Sequence, residues 1–356
     1  MDDQSIAAAS VETEKSLREQ RIEVRRRRIE LDSSKSIAKY LDHVVIDSLP
    51  EESRWANVRE DWQTEIVRPM VPAIEQVAGI RNDYDGPRSF FYVLPKGHDK
   101  TGLIGRLANW AVAFSQRRIT GCVAASTRDQ ARLLLESMEA EQVYNSWLSG
   151  RLQTYRLAVR GPHSKIDVLS SEAGASSGRK DDFAILDELT FWESPDLFDI
   201  IFSGRAKRLN SVVIIITNAG IRGTWQHDLY TQAKSDPSWH FYESPPGEIL
   251  AGWLNQKDLE AIRRTIRPGF ARRVLGNEWI SSTENPLLEE AVLRRQMAKT
   301  LWRHFGIPKG HGLPELYMGV DFGFTQDKSV VWTDERERDG RILAREVLVM
   351  HKAHPD

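Results

Sequence analysis

A strand that runs directly into a lysine-bearing loop, FFYVLPKGHDKT at residues 90–101, restricts the fold more than any other stretch of this chain. In loops of this kind backbone N–H groups form a concave nest for phosphate oxygens. The lysine neutralises the terminal phosphates, and the hydroxyl that follows it ligates Mg²⁺. Lys100 and Thr101 hold those two places. Downstream, Leu103, Ile104, Leu107, Trp110, Ala111 and Phe114 are apolar at helical spacing, which predicts a helix near 102–116 packed on a sheet. Its positive amino end would face the phosphates.

The loop departs from the full pattern, which opens on a glycine and carries a second one directly before the lysine. Leu94 and Asp99 stand in those places, and Gly97 is the loop's glycine. Aspartate tolerates the left-handed backbone region better than most residues. Its carboxylate would repel phosphates unless it faces away or meets Lys96 or His98. Replacing Asp99 with glycine is therefore expected to raise turnover. Taken alone, the loop also fits a polar turn between a strand and a helix.

A second motif narrows the choice. Phe183–Leu186 is an apolar run too short for a helix, suited to a strand buried on both faces, and it ends in Asp187 and Glu188. At the carboxyl end of a parallel strand, the first acid can hold Mg²⁺ and the second can activate a water against the γ-phosphate. Both motifs, in this order and each on a buried strand, point to a nucleotide site using ATP and Mg²⁺.

Further strands are expected at 90–94, 119–126, 166–170 and 212–217, with helices near 128–140 and 193–203. That alternation predicts an α/β fold with a mainly parallel sheet flanked by helices. Residues 1–50 read as a charged helical arm with a basic patch at Arg25–Arg28, for which a solvated helix is the simplest reading and DNA or partner binding the other. Residues 51–285 form the phosphate-loop domain, 286–312 a turn-rich linker, and 313–356 a β-meander that opens a second domain. The 356 residues suffice for two domains, and 28% charged against 40% hydrophobic residues excludes a disordered chain. The single cysteine, Cys122, reads as a small core residue in a reducing compartment. Neither a signal peptide nor a membrane span is expected. A net charge of −2 means that any nucleic-acid contact must come from local patches.

In this order the features resemble the large terminase subunit of tailed bacteriophages, the motor that packs DNA into the capsid. Trp62–Gln63 looks like the family's adenine-recognition glutamine, and LPKGHDKT like its divergent phosphate loop, with Lys96 as the basic residue. VAASTRDQARLL at 123–134 is similar to the strand and helix that follow that loop, and ILDE at 185–188 matches the magnesium and catalytic acids. VVIIITNAG at 212–220 resembles the coupling motif, here Thr217–Asn218, and RRVLGNEWI at 272–280 a segment near the end of the ATPase domain. The resemblance implies a P-loop ATPase with Gln63, Lys96, Gly97, His98, Asp99, Lys100 and Thr101 around the nucleotide. Thr101 and Asp187 would be on its magnesium, with Glu188 as the catalytic carboxylate that activates water.

It also implies an arginine supplied by a neighbouring subunit, for which Arg128, Arg179 and Arg205 are the candidates. Asp321, in GVDFG, would be the first metal ligand of a ribonuclease H-like nuclease, with Asp327 a weaker second and Glu346 not chosen. The further acids of such nucleases lie past residue 356, so this chain is expected to be truncated and to lack endonuclease activity. The implied partners are double-stranded DNA, a portal protein, a small terminase subunit and further copies of the chain in a ring, in the host cytoplasm. Two other readings stay open: an inert remnant that binds DNA or an assembly partner, and a helicase-like ATPase outside packaging.

Overall fold

The computed structural model describes residues 3–48, 51–170, 178–208, 210–281, 315–321, 329–336 and 342–350. The chain divides into two compact units, Met1–Glu284 and Asn285–Asp356.

The first unit opens with α1 (Asp3–Ser33), α2 (Ile37–His43), the antiparallel pair β1 (Val45–Ser48) and β2 (Glu51–Arg54), α3 (Trp55–Val58) and α4 (Asp61–Val77). Then follow β3 (Ser89–Val93), α5 (Lys100–Phe114), β4 (Thr120–Ala125), α6 (Arg128–Tyr144), β5 (Gln153–Tyr155), β6 (Ala158–Arg160) and β7 (Lys165–Ser170). After these come β8 (Phe183–Asp187), α7 (Asp196–Gly204), β9 (Val212–Thr217), α8 (Trp225–Ser235), β10 (Trp239–Glu243), α9 (Gln256–Thr265) and α10 (Pro268–Val274). Eight strands form one sheet in the order β10-β3-β9-β8-β4-β7-β6-β5. The pairs from β10 to β7 are all parallel, and only β5 and β6 run against their neighbours.

The central strands are apolar at every position because both faces are covered. On β3, Phe90 and Tyr92 enter a cluster with Ile66, Met70, Leu107, Trp110 and Ile214, beneath α4, α5 and α6. Phe91 and Val93 enter the opposite cluster with Leu186, Trp192, Ile201 and Ile215, beneath α7 and α8. Ile37, Tyr40, Leu41 and Val44 lie in the first cluster, so the core begins well before residue 51. Cys122 is buried and unpaired.

Five predicted strands and three predicted helices are present, with ends shifted by a few residues. Helix α4 and strand β10 were not anticipated. In α4, Pro69 and Pro72 lie inside the helix and mask its signal, yet Ile66, Met70, Ala73, Ile74 and Val77 still form one buried stripe. Strand β10 (WHFYE) is an edge strand that is only partly buried, so it lacks the unbroken apolar run of its neighbours. The predicted linker at 286–312 lies outside the described residues, as does Asp327. Among the described residues no helix is long and apolar enough to cross a membrane.

The second unit contains β11 (Glu315–Asp321), β12 (Ser329–Arg336) and β13 (Ile342–Met350), a three-stranded antiparallel sheet in chain order. This is the meander expected from the sequence. Asp321 ends β11 in register with Val330, and Glu346 lies on β13 opposite Thr333.

Close strand approach makes one glycine critical. A Cβ on Gly121 would lie 2.7 Å from the backbone oxygen of Phe183 and 3.1 Å from Ile166. Gly121→Ala is thus expected to push β4 off both neighbours and cost about 1–3 kcal/mol, read as a lower denaturation midpoint at unchanged m-value.

Candidate functional site

Because β3, β9, β8 and β4 are parallel, their exits share one edge, and the predicted loop, both acids and the coupling pair meet there. β9 separates β3 from β8, so Thr217–Asn218 lies between the phosphate loop and Asp187–Glu188. Lys100 opens α5 and is 7% exposed. Its ammonium donates to the backbone oxygens of Leu94 and Pro95, each at 3.2 Å, and to Asn218 Oδ1 at 2.6 Å. Glu188 Oε1 lies 3.5 Å away. Asn218 also donates through Nδ2 to Glu188 Oε2 at 3.0 Å. A single amide therefore joins the lysine to the acid.

Burial lowers the lysine's pKa, and the carboxylates of Glu188 and Asp187 oppose that shift. Asp187 is itself pushed up to about 7, first by burial, then by the charge of Glu188, with Lys100 working against both. Its Oδ1 is buried with no hydrogen-bond partner among the described residues. Glu188 adopts a left-handed backbone at φ 48°. That conformation is uncommon for a residue with a Cβ, and it turns the side chain out of the strand direction toward Asn218. Thr217 is fully buried, and its Oγ1 accepts from Thr190 N at 3.2 Å and shares a hydrogen bond with Thr190 Oγ1 at 2.9 Å. The turn after the acids is thereby tied to the end of β9.

The other loop residues divide into two groups. Lys96 is exposed, while its backbone N–H donates to Val274 O at 2.8 Å. Gly97 has φ 87°, and a Cβ there would lie 3.1 Å from Leu254. His98 is buried, with Nε2 accepting from Leu250 N at 3.1 Å and Nδ1 facing Lys96 O at 3.4 Å. Burial lowers its pKa, which favours a neutral ring holding its proton on Nδ1. Both ring nitrogens thus serve the protein backbone rather than a ligand.

Asp99 takes the first of the two arrangements the sequence left open and faces away from the loop. It takes the left-handed position at φ 48°, but its carboxylate meets neither Lys96 nor His98. It reaches over Gly102 to Arg106 Nη1 at 2.9 Å, directed along the helix. Arg106 in turn lies 3.7 Å from Glu141, which accepts from Tyr40 and Asn109. The repulsion on which the expected gain from Asp99→Gly rested is therefore compensated inside α5. That substitution relieves a left-handed backbone worth roughly 1–2 kcal/mol but strips a buried guanidinium of its close partner and leaves it only the more distant Glu141. A net loss of thermal stability without a gain in turnover is the expected outcome, and Asp99→Asn should lose less.

Gln63 is buried and closes a capping box: its Oε1 accepts from Glu60 N at 3.0 Å. Next to it, Trp62 packs on His98 at 5.5 Å and on Trp253 at 5.9 Å between ring centroids. Trp253 is 48% exposed, and its indole N–H donates to Gly97 O at 3.0 Å. An aromatic shelf thus lies beside the loop, and Trp253 had no motif to announce it. Asn277 was missed for the same reason. Fully buried at φ 51°, it donates to Val93 O and to Ser244, and accepts from Ala219 N. It clamps the exits of three strands.

Of the three arginines, Arg205 is partly buried, donating to Ser89 and to the backbone oxygens of Arg88 and Ser211, and desolvation lowers its pKa to about 10. Arg179 makes a bidentate pair with Asp181 at 2.7 and 2.8 Å. Arg128 opens α6 just past β4, on the edge shared with Lys100, and is exposed.

A mainly parallel sheet flanked by helices, with lysine and acids at its carboxyl edge, defines the class as a P-loop-type α/β domain. Residues 110–235 match the family model described as terminase large subunit, ATPase domain. Over those residues the chain is similar to the ATPase domain of large terminase subunits. That match takes in Asp187, Glu188, Thr217 and Asn218 and begins within α5, after the phosphate loop. The fold is similar to that of the HK97 bacteriophage large terminase, with TM-score 0.56 and 16% identity over 89% of this chain and 67% of that one. A Thermus phage P74-26 large terminase ATPase domain is also similar, with TM-score 0.45 and 14% identity over 58% of this chain and 96% of that one. No curated protein matches the sequence.

Proposed function

We propose that this chain is the ATP-hydrolysing subunit of a packaging motor that moves duplex DNA into a procapsid in the host cytoplasm. The observation that carries the reading is the buried junction in which Asn218 joins Lys100 to Glu188 at the carboxyl edge of the parallel strands. In this reading Lys100 and the exposed Lys96 hold phosphates, and backbone N–H groups of the loop cradle them. Glu188 orients and activates the attacking water. Asn218 would register whether Lys100 is engaged with phosphate or with its amide, and pass that difference to β9 and to the turn held by Thr217. Gln63 and the Trp62–Trp253 shelf would receive the adenine.

The residues also fit a magnesium ion. The unpartnered buried oxygen of Asp187 and the hydroxyl of Thr101 are hard oxygen donors, and among the described residues no cluster of three or more His, Cys, Asp or Glu competes for the ion. Mg²⁺ binds in such sites through one or two protein oxygens, with waters and substrate phosphates completing its shell. When bound it would neutralise charge on the β- and γ-phosphates.

Arg128 is the candidate best placed to reach another subunit, since Arg179 and Arg205 are engaged within their own chain. A homo-oligomeric ring, a portal protein and a small terminase subunit belong to the same proposal. Asp321, at the end of β11, would be a metal ligand of a ribonuclease H-like unit.

ATP hydrolysis with and without duplex DNA tests the reading. The parent chain is expected to be DNA-stimulated, and Lys100→Ala and Glu188→Gln should each abolish turnover, with Glu188→Gln retaining ATP binding. An inactive parent chain would favour the inert remnant instead.

Arg128→Ala is expected to lower assembled, DNA-stimulated turnover by about 10³-fold or more while leaving ATP affinity unchanged. Mixing it with a Glu188→Gln chain should restore part of the activity, because each chain would supply what the other lacks. Full activity of Arg128→Ala alone would remove it from this role.

A further inference from the structure

The opposite edge of the same sheet has a different character. Where β4 and β7 begin, residues 116–120 and 160–165 line a groove of about 640 Å³. It contains Arg117, Arg118, Arg160, His163 and Lys165 and no carboxylate. Arg117, Arg118, Arg160 and His163 are exposed. The nearest acid in sequence, Asp167, is already paired with Lys165 at 2.6 Å. Beside the groove, Asp182 accepts from Thr120 and pairs with Arg208, and Asp181 pairs with Arg179. The acids of this edge are therefore neutralised locally, and an excess of cations faces outward. Since the whole chain carries −2, that excess is a matter of placement and not of composition.

The walls are fixed. A Cβ on Gly161 would lie 2.0 Å from Val112 O, so the turn between β6 and β7 lies directly on α5. Ser115 and Ser164 hydrogen-bond across the groove floor, and Gly161 N donates to Ser164 O at 2.8 Å. On the other wall Gln116 N donates to Ala78 O at 2.8 Å, and Arg117 Nε to Val77 O. A rigid concave surface with several outward guanidinium groups and no acid suits a polyanion of regularly spaced phosphates. Arginine forks bind such phosphates through paired N–H donors.

We infer that this amino-edge groove, centred on Arg118 and Arg160, is a contact surface for the phosphodiester backbone of duplex DNA. The inference rests on the motor reading and adds to it a location remote from the nucleotide. Its contacts are to backbone phosphates, so binding there is independent of base sequence and falls with salt.

Fluorescence anisotropy with a labelled duplex, titrated across salt concentrations, tests it. The double variant Arg118→Glu/Arg160→Glu is expected to bind at least tenfold more weakly than the parent chain. The slope of log K against log salt should be shallower by about 2, at about 0.9 per lost phosphate contact. ATPase activity without DNA should stay at the parent level, since neither residue touches the nucleotide edge. The charge-matched control Arg263→Glu/Arg264→Glu, on exposed α9, should keep most of the affinity. Unchanged affinity and slope in the groove variant would overturn the inference and assign the groove to an acidic protein partner. Equal losses in groove and control variants would overturn it too, as an effect of net charge. A parent chain that binds no duplex at low salt would instead fail the motor reading itself.

Discussion

The buried ammonium of Lys100 is the constraint from which the rest of the carboxyl edge follows. A charge nearly sealed from water is costly unless every proton of the group finds an acceptor. Here two backbone oxygens, one amide oxygen and a nearby carboxylate supply them. These acceptors come from three places: the two residues after β3, the residue after β9 and the residue after β8. The lysine can be buried only if those strand exits are held in register, which ties the loop to the acids energetically as well as spatially. The same arrangement makes the lysine's acceptors exchangeable, because phosphate oxygens can replace carbonyl oxygens without leaving a donor unmatched.

Register at that edge is maintained one layer further out. Asn277 uses its amide nitrogen on Val93 and Ser244 and its amide oxygen on Ala219, joining β3, β10 and β9 beyond their last ladder bonds. The neighbouring Val274 oxygen accepts from Lys96 N, so the segment containing α10 holds the loop itself. A displacement of Asn218 would thus be transmitted to a chain segment far from it in sequence. This is the physical content of a coupling element: a small set of shared hydrogen bonds, not a remote influence.

Much of the fold was legible because the central strands are continuous apolar runs bounded by polar turns. Periodicity alone placed β3, β4, β7, β8 and β9 within a few residues. Lys100, Asp187 and Glu188 were legible because their chemistry limits them to strand exits. What escaped were residues whose role depends on neighbours distant in sequence. Trp253 and Asn277 lie more than 150 residues from Gly97 and Val93, to which they donate, and an asparagine or a tryptophan in isolation has no spacing to read. Helix α4 escaped because two prolines contradict local propensity, and tertiary burial of its apolar stripe outweighed them. Arg179 and Arg205 could not be separated from Arg128 until their acceptors were visible.

Asp99 illustrates how a departure from a motif can be absorbed. Glycine before the lysine serves a backbone that must turn left-handed, and any side chain there adds strain and, if acidic, repulsion toward phosphate. This chain accepts the strain and removes the repulsion by giving the carboxylate a partner two turns into α5. The partner is itself anchored by Glu141, whose pKa burial raises and whose oxygens also serve Tyr40 of α2 and Asn109. The absence of one glycine is therefore linked to a buried polar network of four further side chains reaching the beginning of the domain. Where such compensation exists, the missing glycine is no argument against a working phosphate loop, and the residues to weigh are those that receive the displaced charge.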